Sequence, residues 1–140
     1  MTDSIDFNEM NRQVIADFRA NGGKAGGMVE GYPLVLVHHV GAKSGTARVT
    51  PLVPYVDGDR IFIFASKGGS PENPAWFHNL VANPDTEAEY GTERFPVVAR
   101  VLAGAERDDV YARHAAVQTQ FADYAQRTDR VIPVIELQRV

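Results

Sequence analysis

Residues 49–65 read VTPLVPYVDGDRIFIFA, two β-rich runs on either side of Asp57-Gly58. A two-residue type I′ turn needs positive φ, which Asp tolerates and Gly adopts freely. The dipeptide therefore predicts a hairpin with residues 49–56 antiparallel to 60–65. A chain that reverses there returns beside its own start, so the flanking loops, 41–48 and 66–73, are expected at one end of the sheet. Both loops combine glycine with cations: Lys43 and Arg48 in the first, Lys67 in the second. Gly41, Gly45, Gly68 and Gly69 leave backbone N–H groups uncovered. That combination predicts a site for an anion.

Just beyond, Asn73-Pro74 reads as an N-cap followed by proline at the first helical position, which starts a helix carrying Trp76, Phe77 and Leu80. Its N-terminus brings free N–H groups and a positive dipole end toward the same loops. A charge-assisted hydrogen bond contributes roughly 1.5–3 kcal/mol. Three cations on one phosphate thus approach, as an upper bound, the ~8 kcal/mol of micromolar binding.

Upstream, Asp6 and Glu9 form a capping-box pattern, and Phe7, Met10, Val14 and Phe18 recur at helical spacing until Asn21-Gly22-Gly23. This first helix is expected to cover the sheet. Residues 22–31 hold five glycines around Lys24, a flexible connector able to close over a ligand. Residues 34–40 read as the first strand, with His38 and His39 on alternate faces and no further ligand at metal spacing, so no metal site is expected. Pro51 and Pro54 cannot donate to a ladder, which makes their run an edge strand or a bulged one, with backbone free to meet a flat ligand. Residues 86–90 and 94–102 predict a second hairpin about Gly91-Thr92-Glu93. Glu106 opens the longest helix, with Val110, His114, Val117, Phe121 and Tyr124 as its inner stripe, and residues 131–137, interrupted by Pro133, supply a last edge strand. The total is six strands and three helices without βαβ alternation. That pattern is a mainly β fold, an antiparallel Greek-key or barrel core with helices packed outside, in a single domain spanning 1–140.

At 140 residues the chain can bury a normal core without metals or disulfides, and it has no cysteine. Zinc-finger, iron–sulfur and thiol chemistry are thereby excluded. A formal charge of −4 argues against nucleic acid as a partner and makes any anion site local. No apolar run approaches the roughly 20 residues of a membrane span, and MTDSIDFNEM lacks the basic and apolar regions of a signal peptide. A cytoplasmic protein is expected, with room for weak membrane association and for either a monomer or a homodimer. GAKSGT has no Walker spacing, and neither G-x-S-x-G nor HExxH occurs. Asp57 and Asp59 belong to a turn, while Asp108 and Asp109 suit a helix start. An anion cradle beside aromatics, with no acid/base constellation, implies that a bound cofactor does the chemistry.

The blocks NGGKAGG, GAKSGTARVTPL, DGDR, ASKGG, NPAWFHNLVANP and TDRVIPVIEL, in this order, resemble the deazaflavin-dependent nitroreductase family of F420-dependent oxidoreductases, from about Phe7 to Val140. The resemblance implies a six-stranded antiparallel split β-barrel, related to flavin-binding split barrels and packed by about three helices. It implies coenzyme F420 as cofactor and hydride transfer to a small-molecule acceptor, an activated alkene, quinone or nitroaromatic. Carried over by motif, Lys43 and Arg48, with Ser44, hold the cofactor's phosphate and the start of its acidic tail. Val49, Thr50, Pro51, Leu52 and Val53 form the strand along the deazaflavin. Phe64, Ala65, Ser66 and Lys67 flank it, and Ala75, Trp76, Phe77, His78 and Asn79 close the pocket. Ser66 and Tyr124 would orient the substrate. The resemblance turns the exposed end of the ring toward the last helix, with Phe121 among the cofactor-binding residues; where the nitroreductase branch carries tyrosines there, this chain has Gln118, Phe121 and Tyr124. Only Tyr124 keeps a hydroxyl, which implies flatter, more apolar acceptors such as quinones or enones. The rival readings are an FMN-binding split-barrel reductase and a non-catalytic deazaflavin carrier.

Overall fold

The computed structural model describes residues 7–26 and 31–140. Asp6 and residues 27–30 of the glycine-rich segment lie outside the described residues. Seven strands, β1 (Val35–Val40), β2 (Ala47–Leu52), β3 (Tyr55–Asp57), β4 (Arg60–Phe64), β5 (Asp85–Tyr90), β6 (Glu93–Val101) and β7 (Val134–Arg139), form one antiparallel sheet in the order β2-β1-β5-β6-β7-β4-β3. The helices are α1 (Phe7–Ala20), α2 (Ala75–Ala82), α3 (Gly104–Val117) and α4 (Gln120–Arg127), with a 3-10 turn at Lys67–Gly69.

A hairpin forms here, but its two turn residues are Gly58, at φ +62°, and Asp59 rather than Asp57-Gly58: Asp57 ends β3, and the hairpin pairs only Tyr55, Val56 and Asp57 with Phe62, Ile61 and Arg60. The expected single strand over residues 49–56 is instead two. Its first half, β2, pairs with β1, and its second half, β3, pairs with β4. These are the opposite edges of the sheet. Only Val53 and buried Pro54 separate them, and three Cα steps of 3.80 Å hold the two edges within about 11 Å. The sheet must therefore curl round on itself, and the bend at Pro54 makes it a split barrel.

Strands β1, β4 and β7 are buried on both faces, by the barrel interior on one side and by helices on the other. Val35 and Val37, Ile61 and Ile63, Ala88, Val97, Ile135 and Leu137 fill the interior, with Trp76 and Leu80 of α2 packed among them. The alternate residues Phe62, Phe64 and Val134 point outward under α3 and α4. Leu34 and Leu36 lie under Val14 and Phe18 of α1. This is why RIFIF shows no polar alternation. The C-terminus of α1 is set by Gly23, at φ +99°, whose missing side chain leaves room for the Gly91 turn of the β5–β6 hairpin; a Cβ there would stand 2.6 Å from the Gly91 Cα.

Three further expectations are corrected. The last strand is central, between β6 and β4: Pro133 precedes it, so its ladder is uninterrupted. The long C-terminal helix is broken at Gln118-Thr119 into α3 and α4, which leaves Val117 70% exposed rather than in the stripe. And α2 begins at Ala75 with Pro74 at its N-cap, because the Asn73 side chain is engaged elsewhere: its Oδ1 accepts from Arg130 Nη1 at 2.7 Å.

Candidate functional site

Loop 41–46 is a tight turn. Gly41 N–H donates to the Thr46 carbonyl and Gly45 N–H to the Gly41 carbonyl, both at 2.9 Å. A Cβ on Gly41 would meet Ser44 Oγ at 2.3 Å, so a larger residue there would turn the Ser44 hydroxyl away. Ser44 Oγ accepts the Thr46 N–H at 3.2 Å, and the tip presents Lys43 and Ser44 to solvent. The turn is tied to α2 because the Ala42 N–H donates to Asn79 Oδ1 at 2.9 Å.

The second loop reaches the same helix from its other end. Lys67, the one non-glycine residue at positive φ among the described residues (+46°), is held in the 3-10 turn by Gly69 N–H to the Ser66 carbonyl (3.0 Å) and Ser70 N–H to the Lys67 carbonyl (3.1 Å). Gly69 is pressed against α4, where a Cβ would stand 3.0 Å from the Tyr124 carbonyl and from Arg127 Cβ. Arg130 staples the loop, donating to the carbonyls of Ser66 (2.8 Å) and Ser70 (2.9 Å) besides Asn73. Loop 66–73 leads into Ala75 and loop 41–46 hangs from Asn79. Four residues of helix separate these anchors, a rise of about 6 Å.

The charges around these loops differ from those elsewhere. Arg19 pairs with Glu89, Arg94 with Glu87, Arg139 with Glu93, and Arg60 and Arg100 share Glu106 and Glu136. Lys43, Arg48 and Lys67, all exposed, and Arg127 and Arg130 beside the second loop have no carboxylate partner among the described residues. Exposed Lys24 is likewise without a carboxylate among the described residues, and the second loop also carries Glu72, so the local excess of free positive charge lies on Lys43 and Arg48, with Arg127 and Arg130 behind Lys67.

Strand β2 borders them. Its register sets Val35 opposite Leu52, Val37 opposite Thr50 and His39 opposite Arg48. Directly opposed residues share a face, so Arg48, Thr50 and Leu52 lie on the barrel-interior side, while Val49 and Val53 pack toward α1. As an edge strand, β2 leaves one row of backbone groups unpaired. Val49, Thr50, Pro51, Leu52 and Val53 are all only half-buried.

A polar chain that the composition of these loops did not reveal joins the parts. Asn79 Nδ2 donates to His39 Nδ1 at 2.9 Å, and His39 Nε2 lies 2.8 Å from Thr50 Oγ1. Burial, then the nearby Arg48 charge, pushes the His39 pKa down to about 4, so its ring is neutral at pH 7. The available signal was His39 itself, a polar residue on the Val35–Val37 face.

The remaining predicted site residues divide by exposure. Ala75 and His78 are exposed and Phe77 half-buried, while Trp76, Asn79, Phe64, Ala65 and Ser66 are buried. Tyr124 is half-buried, edge-on to Phe121 at 5.1 Å, with the Arg127 guanidinium 5.9 Å from its ring. Phe121 stands in the aromatic core, 8% exposed, against Phe64, His114 and Tyr111. Its carbonyl accepts the Tyr111 hydroxyl at 2.5 Å, so its ring backs the wall behind Tyr124. Sequence reasoning missed Arg127 and Arg130, which lie far from the loops in the chain.

The family model for F420H(2)-dependent quinone reductase matches residues 9–138. An F420H(2)-dependent quinone reductase of Mycobacterium tuberculosis is 40% identical over 130 residues, covering 89% of this chain and 86% of that one. Among solved structures, an F420-H2 dependent reductase, FDR-A, is 36% identical with a TM-score of 0.70 over 76% of this chain and 94% of its own. A second, described as a domain-swapped dimer, is 32% identical with a TM-score of 0.72 over 95% and 98%. The chain that carries this half-covered edge strand and its neighbouring cations matches these reductases along nearly its whole length, and it belongs to the F420H(2)-dependent quinone reductase family, a family of split-barrel oxidoreductases whose cofactor is coenzyme F420.

Proposed function

We propose that the chain reduces quinones, and with them activated alkenes in preference to nitroaromatics, at a site between β2, loop 41–46 and the α2 end of loop 66–73. Reduced coenzyme F420 supplies the hydride, from C5 of its deazaflavin. Three features of the chain suit that group. The half-buried run Val49–Pro51–Val53 with Thr50 and Leu52 offers a flat, partly apolar strand with unpaired backbone. Lys43 and Arg48 offer two free cations, with Ser44 between them, for a phosphate and the start of an acidic tail. Lys67 adds a third cation from the opposite loop.

In this reading Ala65 and Ser66 flank the ring by their backbone, and Ala75, Phe77 and His78 cover it from α2 over the buried Trp76 and Asn79. Phe64 and Phe121 back Tyr124 from the α3–α4 side. Tyr124 directs a hydroxyl donor at the acceptor oxygen, where negative charge develops as the hydride arrives. Ser66 is the second candidate donor to that oxygen. The likeness to the domain-swapped dimer supports a second copy of the chain as partner, which light scattering on the purified protein tests; a monomeric mass at all concentrations refutes it.

The observation that carries the cofactor site is the set of cations left without carboxylates. Titration with coenzyme F420, followed by its fluorescence, tests it. Lys43→Ala and Arg48→Ala should each weaken binding about tenfold, the low end for charge-assisted bonds at exposed side chains. Unchanged affinity in both variants refutes the assignment. Mixing the reduced cofactor with menadione should then return the absorbance of the oxidised deazaflavin only when protein is present. Binding without turnover of quinones, enones or nitroaromatics would make the chain a carrier.

A further inference from the structure

The polar chain from loop 41–46 to β2 has a fixed direction. It starts at a backbone N–H, which can only donate, so the Ala42 bond forces Asn79 to present Oδ1 to it. The same amide must then turn its Nδ2 donor toward His39, and His39 Nδ1 must be the acceptor. A neutral imidazole with an accepting Nδ1 carries its proton on Nε2. That N–H faces Thr50 Oγ1 at 2.8 Å and donates to it. The Thr50 hydroxyl therefore accepts from behind and keeps its own proton for another partner, and no acceptor for it occurs among the described residues. Reversing any link would set two donors face to face or strip the Ala42 N–H of its acceptor.

Thr50 sits half-buried in the middle of the edge strand, on the same face as Arg48. We infer that Thr50 is a directed hydrogen-bond donor to a carbonyl oxygen of the deazaflavin ring, its proton freed by the one-way chain from the Ala42 N–H through Asn79 and His39. The inference rests on the cofactor site proposed above and assigns one contact within it. Its consequence is positional. The strand's other side chains here are apolar apart from the cation at Arg48, so a lone directed donor sets where the ring stops along β2. Because Ala42 neighbours Lys43, the same chain couples the grip on the phosphate to the registration of the ring. His39 and Asn79 are positioning residues that touch no ligand.

Two measurements test this. The first is the tautomer of His39 in the unliganded protein, read from long-range proton–nitrogen NMR correlations near pH 7. The Nε2–H form is expected, and the Nδ1–H form overturns the inference. The second is affinity for two probes, coenzyme F420 and the deazaflavin with its ribityl chain but no phosphate. Thr50→Val should weaken both by about five- to tenfold, one net hydrogen bond, while Thr50→Ser should stay within about twofold of wild type. Lys43→Ala should weaken only the phosphate-bearing probe. Thr50→Val binding both probes as wild type does overturns the donor role while the parent site stands. A wild type that binds neither probe removes the site and this contact together. Equal losses in Thr50→Val and Thr50→Ser, with no rescue by the shorter hydroxyl, also overturn it.

Discussion

Acid should unfold this protein through two histidines, and one substitution should remove half of the effect. His114 is 1% exposed, stacked on Phe64 with centroids 4.0 Å apart and planes 6° from parallel, and its Nε2 has no hydrogen-bond partner among the described residues. Burial pushes its pKa down to about 4, as it does for His39. In the unfolded chain both titrate near the ordinary value of ~6.5. Between about 6.5 and 4 the unfolded state binds more protons than the native one, so stability falls as pH falls. At pH 4.5 each histidine removes about 2–3 kcal/mol relative to pH 7.5. Together that is roughly 5 kcal/mol, comparable with the whole stability of many domains. The carboxylates act in a lower window. Hydrogen bonds from Arg19 and from Arg60 hold Glu89 and Glu136 down to about 2. Their contribution is present above about 4.5 and lost only below it, so the interval from 6.5 to 4.5 belongs to the histidines. Urea unfolding followed by the fluorescence of Trp76, the only tryptophan and 7% exposed, measures this directly at several pH values. His114→Phe keeps the stack, discards a buried nitrogen that lacks a partner, and should halve the pH slope without loss of stability at pH 7.5. A stability that is flat from pH 7.5 to 4.5, or a slope untouched by His114→Phe, would refute the reasoning.

Three substitutions probe the frame around the site. Arg130→Lys loses the fork that reaches Ser66, Ser70 and Asn73 together; urea unfolding should show a loss of about 1–3 kcal/mol, and an unchanged midpoint would mean that the loop holds itself. Glu136→Gln leaves Arg60 and Arg100 with Glu106 alone, and these arginines are 47% and 39% exposed and can hydrate, so the loss should be about 1–2 kcal/mol rather than the 3–5 of a fully buried pair; a larger drop would show that Glu106 and water do not relieve them. Gly23→Ala puts a Cβ against the Gly91 backbone at positive φ and should lower the thermal midpoint by several degrees, on the order of 1–3 kcal/mol, whereas Gly26→Ala, with open space around it, should not.

The chain reversal at Gly58, the period of α1, the glycine–cation loops and the proline-bearing edge were legible in the sequence, because each depends on the φ range or face periodicity of a few consecutive residues, although the turn sits one residue beyond the Asp57-Gly58 expected. Family likeness extended that reading to the cofactor. Which strands pair was not legible. Residues 49–56 look like one strand, and only closure of the barrel assigns their halves to opposite edges and moves β7 from edge to centre. Nor does any local pattern place Arg130 on loop 66–73 or run a hydrogen-bond chain from Ala42 to Thr50. Those contacts join residues from 11 to 64 apart in the chain. They exist because a curled sheet and the helix packed into it leave buried polar groups a single set of partners, and that choice is made in three dimensions.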